Sequence, residues 1–324
     1  MFPQRSAPKG EIGMKIKGST RAIKPEYLNI AFAASFVICL GLRFYHSIKL
    51  IDAETGFYSK PNFTVAVFYV ILAAVGAFLL IGSFVSKNNG KFDAESVIGK
   101  NKPLGAISII LAVSFVTEFG QSVINAIYSV RNSVIETDVS YFAQLMKSGY
   151  IPNILVAAFA AFSSLYFMVF AVSCLGKRVK ITSKKIFALM PVGWALTKLI
   201  SFFVKQISFI RVSDLLLEIA AMIFTALFLF SLAQCVSGVY ADVAEWRLTG
   251  VGLTAALLLL TLNIPRFFLT VFGGSAHVVS GYPVNYAELF CGIFILALIF
   301  SLSKGEKVPE PCEAPEAAEE KSEE

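Results

Sequence analysis

Glu118, Gln121, Ser122, Asn125 and Ser129 recur at steps of three and four inside a run that is otherwise apolar. On a helix those steps place all five on one polar stripe. A carboxylate near the middle of a bilayer costs on the order of 3 kcal/mol on insertion scales, so Glu118 requires a cationic partner or a wet cavity. Lys198 is the cation the sequence offers, at the head of a second stripe formed by Lys198, Ser201, Lys205 and Ser208. At a rise of 1.5 Å per residue, Lys198 lies ~18 Å and Glu118 ~21 Å from the cytoplasmic starts of their spans, so the two are matched in depth. Lys205 and Glu218 are matched in the same way. Arg43 closes the first apolar run, and Asn263-Ile-Pro265-Arg266 interrupts the seventh. A proline there removes a backbone hydrogen bond and predicts a kinked or broken helix.

Catalytic chemistry has little to draw on. The chain holds two histidines, His46 and His277, both expected near the outer surface as interfacial hydrogen-bonders rather than metal ligands. Gly273-Gly-Ser275-Ala-His277 lacks the Gly-x-Ser-x-Gly frame of a nucleophile turn. No HExxH, paired-cysteine metal spacing, Walker loop or dinucleotide fingerprint occurs, so no catalytic residue, metal or cofactor is expected. Asp52 and Glu54 read as a tight reversal, with Gly56 as its permissive position, in preference to a cation site. Asn62-Phe-Thr64 matches a glycosylation acceptor but abuts the second apolar run.

The elements that must position these groups are membrane helices. Hydrophobic residues make up 56% of the chain and aromatics 13%, more than an ordinary soluble domain carries. The expectation is an all-α polytopic membrane protein of eight spans, at about 27–48, 63–85, 104–130, 151–176, 186–210, 215–239, 251–272 and 288–303. Residues 1–26 form a basic segment without an apolar signal core, which by the positive-inside rule stays in the cytoplasm. Basic clusters at 87–102 and 177–185 mark further cytoplasmic segments, and 305–324 reads as a disordered acidic tail, so both termini lie inside. The net charge of +6 is topological and gives no nucleic-acid signature. Four cysteines lie in apolar runs and the fifth in the tail, so free thiols are expected. Thr137-Asp138 is expected to cap a short outer helix with Tyr141, Phe142, Leu145 and Met146 on one face. Spans 1, 3, 5 and 7 carry nearly all buried polar groups, which predicts that the odd-numbered helices form a polar inner ring.

In the outer half of such a bundle, Arg43, Lys198, Lys205 and Arg266 outnumber Glu118 and Glu218. A cavity lined by surplus cations, open outward and with Gln121, Asn125 and Asn263 as orienting groups, favours a small anionic ligand in a transporter-like or sensor-like protein. The alternative is a scaffold or partner-binding subunit in which the carboxylates staple helices and the arginines reach to the interface. In either case the partners are the lipid bilayer and a ligand or membrane protein. The turn Ile51-Asp-Ala-Glu-Thr-Gly-Phe57, after a helix ending Leu42-Arg-Phe-Tyr-His46, resembles a family of uncharacterised multi-spanning proteins of Gram-positive anaerobic bacteria. The resemblance covers spans 1 and 2, implies a bacterial plasma membrane, and assigns no activity.

Overall fold

The computed structural model describes residues 25–59, 62–86, 101–131, 140–176, 185–204, 212–238, 241–279 and 283–305. The basic N-terminal segment, the acidic tail, Thr137-Asp138 and Lys205 lie outside the described residues. The helices are α1 (Pro25–Lys49), α2 (Phe63–Val85), α3 (Lys102–Arg131), α4 (Tyr141–Lys147), α5 (Tyr150–Cys174), α6 (Met190–Val204), α7 (Val212–Val236), α8 (Ala241–Val271) and α9 (Tyr286–Gly305). Turns of 3₁₀ helix occupy Lys185–Leu189 and Ser275–His277, and among the described residues no strand forms beyond an isolated bridge between Ile51 and Tyr58. Seven helices are long and apolar enough to cross a membrane, and α9 contributes a shorter apolar segment, Tyr286–Leu302. The protein is therefore an all-helical, multi-pass membrane protein.

Several boundaries differ from the sequence expectation. Asp214, read as part of a short connection, sits in the first turn of α7 and is buried. The segment 240–250, read as a cytoplasmic return, is helical from Ala241 onward. Pro265 does not break α8, which runs as one helix to Val271 while the Asn263 amide donates to the Leu259 carbonyl at 3.0 Å. Ser140 caps α4, its hydroxyl accepting from Ala143 N, and Tyr141 and Phe142 of that helix are exposed.

The polar odd-numbered ring is not what forms. In α8, 83% of the apolar window is buried, against 22% in α1 and in α2, so one helix occupies the centre and the first hairpin lies at the edge. Leu253, Ala255, Ala256, Leu257, Leu258, Leu259, Leu260 and Leu262 of α8 are buried around the whole circumference. α8 packs against α7, α9, α2 and α1, while α3 packs against α5 and α9, and α6 against α5 and α7. Close helix approach depends on glycine at Gly193, where an added Cβ would stand 2.3 Å from the Phe159 ring of α5. It does so again at Gly250, where a Cβ would meet Ser83 at 2.9 Å and the Leu79 carbonyl at 3.2 Å.

A layer of aromatic rings joins α3, α5, α6 and α9. Phe115 stacks on Phe167 at 5.5 Å and meets Trp194 edge-on at 4.8 Å, and Phe294 stands edge-on to Phe167 and Phe170 at 5.1 and 5.5 Å. All five side chains are fully buried. This layer meets the charged residues at Lys198, whose Nζ stands 5.5 Å from the Trp194 ring centroid.

Candidate functional site: a buried ionic centre

The end of the bundle where α1, α3, α6 and α8 finish and α7 and α9 begin contains seven buried charges. Arg43, Glu118, Lys198, Asp214, Glu218, Arg266 and Glu288 are between 1% and 8% exposed. They come from six helices and form two connected groups. In one, Asp214 lies between two guanidinium groups, accepting from Arg43 through Oδ1 and from Arg266 at 2.9 Å through Oδ2. Arg266 turns its other terminal nitrogen to Glu218 Oε1 at 2.5 Å. In the second, Lys198 Nζ is held by Glu118 Oε1 at 2.9 Å and by Glu288 Oε1 at 2.8 Å.

Two asparagines complete the second group. Asn285 caps α9, its Oδ1 accepting from Glu288 N at 3.0 Å, which directs its Nδ2 to Glu118 Oε2 at 2.8 Å. Asn263 donates from Nδ2 to Glu288 Oε2 at 3.2 Å while its Oδ1 accepts from Asn285 N. Backbone contacts thus fix both amide orientations, and both oxygens of Glu118 and of Glu288 act as acceptors.

The pairing of Glu118 with Lys198 is as expected from their depth. Arg43, Asn263 and Arg266 also join the centre. Gln121 and Asn125 do not, because both are exposed. The buried row of α3 runs through Phe115, Glu118, Ser122 and Ala126, and at about 100° per residue Gln121 and Asn125 lie about 60° and about 20° from Glu118 on the side away from Ser122 and Ala126. Glu218 pairs with Arg266 where Lys205 was expected; Lys205 itself lies outside the described residues. The even-numbered spans supply Asp214, Glu218 and Glu288. Among the described residues the centre therefore holds three cations against four carboxylates, and the anticipated cation surplus is not found there.

Asp214, Asn285 and Glu288 were missed as site residues, although each left a sequence signal. Asp214 and Glu218 stand four apart on one helix face, and Asn285-Tyr-Ala-Glu288 has the spacing of a helix-capping box.

Beside Arg43 the turn between α1 and α2 builds a smaller polar corner. Asp52 organises that turn, with Oδ1 accepting from Glu54 N at 3.0 Å and Oδ2 from Thr55 Oγ1 at 2.9 Å, and Gly56 follows at φ 71°. These bonds, the Glu54 amide first, hold the Asp52 carboxyl below the usual carboxylate range. Asn62 is engaged as the cap of α2, accepting from Thr64 N and Thr64 Oγ1, both at 3.0 Å. Because the Thr64 hydroxyl proton is committed to Asn62, Thr64 Oγ1 can only accept from His46 Nε2, 3.3 Å away. The neutral ring then carries its proton on Nε2 and presents Nδ1 as an acceptor. His46 Nδ1, Arg43 Nη1 and Tyr58 Oη are all buried and without a hydrogen-bond partner. They are near neighbours: Arg43 and His46 are one turn apart on α1, the Tyr58 ring stands edge-on to His46 at 5.7 Å, and Arg43 and Tyr58 lie within electrostatic reach.

Among the described residues no cluster of three or more metal-ligating side chains occurs. Of known proteins, no family model, no curated protein and no solved structure matches this chain.

Proposed function

We propose that this chain is a plasma-membrane protein of eight spans, α9 being the eighth, with both termini cytoplasmic and the ionic centre in the outer half. In this reading it binds a small anionic solute beside Arg43, in the manner of a transporter or sensor. One observation carries the proposal: Arg43 Nη1, Tyr58 Oη and His46 Nδ1 are buried together without partners. A buried polar group left unsatisfied costs about 1–3 kcal/mol, so three in one corner favour an occupant. Arg43 Nη1 and the Tyr58 hydroxyl supply donors to an anion, and His46 Nδ1 accepts from a hydroxyl or an acid proton on the same molecule. The plasma-membrane placement rests on the basic segments and on the resemblance of the first hairpin to membrane proteins of Gram-positive anaerobes.

The test is thermal stabilisation of the purified protein by a panel of small carboxylates, phosphates and hydroxy acids. Binding to the folded state alone adds RT ln(1 + [L]/Kd), about 2.7 kcal/mol at one hundred times Kd. Tyr58→Phe keeps the ring against His46 and removes the hydroxyl, and it should weaken any stabilising solute. Stabilisation that is identical in Tyr58→Phe, or absent across the panel, counts against the reading. The scaffold reading has its own support, since each described cation of the centre is already paired within the bundle; a panel without effect would favour it.

A further inference from the structure

We propose that Glu218 is the proton-binding site of the ionic centre, carrying a proton on Oε2 and exchanging it with bulk water. The inference goes beyond the solute reading and does not depend on it. Three observations carry it.

The first is the charge balance. With every group ionised, the described centre has three positive and four negative charges in a buried interior, and a single bound proton makes it neutral. The second is the hydrogen-bond pattern, which decides where that proton sits. Asp214 accepts a guanidinium on each oxygen. Glu118 and Glu288 each accept Lys198 on one oxygen and an orientation-fixed amide on the other. Every oxygen of these three carboxyls thus already faces a donor, which opposes protonation there. Glu218 accepts from Arg266 through Oε1, and among the described residues no donor reaches Oε2. The third is the field. The charged groups acting on Glu218 are Arg266 of α8, Glu288 of α9 and Asp214 one turn earlier on α7. The one cation among these is shared with Asp214, and both other neighbours are anions. Protonation converts the carboxylate to a carboxylic acid with no other bond change, the proton arriving from hydronium and returning to water.

Infrared difference spectra of the purified protein between acid and alkaline pH, recorded without added solute, test the proposal. The expected result is a carbonyl-stretch band of a buried carboxylic acid that fades on alkalinisation and shifts in D2O. That band should be lost in Glu218→Gln, whereas in Glu118→Gln and Glu288→Gln, each of which removes one anion from the centre, it should fade at a lower pH than in the wild type. Glu218→Asp, which retains a carboxyl should Glu218→Gln not fold, is expected to move the band rather than remove it. A wild type without the band overturns the proposal, as does a band that persists unshifted in both Glu218 variants. A band that emerges only in Lys205→Gln also overturns it, since Lys205 would then be the cation that keeps Glu218 ionised.

Discussion

Lys198→Met removes the one cation that Glu118 and Glu288 share, at 2.9 and 2.8 Å, and leaves both carboxylates buried with their amide donors in place. Breaking a buried ion pair by deleting one partner costs about 3–5 kcal/mol, and with two carboxylates stranded the upper end applies until one of them takes a proton. Glu118→Gln is a different perturbation. Lys198 keeps Glu288, and the loss is one charge-assisted hydrogen bond of about 1.5–3 kcal/mol. The shared geometry therefore predicts an order, with Lys198→Met well below Glu118→Gln in stability. It also predicts a rescue: combining Lys198→Met with Glu118→Gln and Glu288→Gln removes every charge of the group, and replacing buried ions by neutral groups is often close to neutral. The assay is reversible unfolding in mixed micelles titrated with a denaturing detergent, where each 1.4 kcal/mol is a tenfold change in the folding equilibrium. The reasoning is refuted if Lys198→Met is no worse than Glu118→Gln, or if the triple variant is as unstable as Lys198→Met alone.

Gly193→Val should destabilise by about 1–3 kcal/mol through overpacking against Phe159, measured in the same micelle titration, and Phe159→Ala should relieve much of that loss. Gln121→Leu and Asn125→Leu should each fall within about 0.5 kcal/mol of wild type, because neither side chain joins the buried centre. Reporter fusions after Asn89, Lys180, Tyr240 and Cys312 should read cytoplasmic and those after Gly56, Ser140 and Val279 external; a tail that reads external would rule out eight spans. Asp52 titrates below its ordinary range, so the bonds to Glu54 and Thr55 should be fully formed above that range and released as the pH falls through the lowered value. The Glu54 amide chemical shift should follow this transition in the wild type and stay flat in Asp52→Asn.

How much could be read beforehand depended on which physical signal a residue carried. Apolar runs located the long helices closely, and the matched depths of Glu118 and Lys198 identified a real pair, because rise per residue is fixed by the backbone. Polarity along the chain does not by itself mark the interior, which is why the expected inner ring does not form. Burial in a membrane bundle does not sort that way: α8 is central with leucine and alanine buried on every side, whereas α2 is the more apolar of the two and lies at the edge. Sequence composition is the same for a helix facing lipid and one facing protein. The cation surplus failed for a related reason. Asp214 and Glu288 lie at helix starts, where acidic residues ordinarily read as caps and dipole partners, and only the tertiary arrangement turns them inward. For Gln121 and Asn125 a spacing of three and four admits positions on either side of Glu118, whereas burial continues only on the side of Ser122 and Ala126.

The central position of α8 has a consequence for biogenesis. The helix against which α1, α2, α7 and α9 pack is the next to last of the described α-helices. During synthesis the earlier spans enter the bilayer before their common support exists, and Arg43 and Asp214 precede the Arg266 that completes their group. A ribosome-bound chain ending before α8 should therefore hold its helices as loosely associated hairpins, accessible to insertion chaperones and membrane proteases. Compaction should come late and abruptly, when α8 and α9 arrive together with Arg266, Asn285 and Glu288.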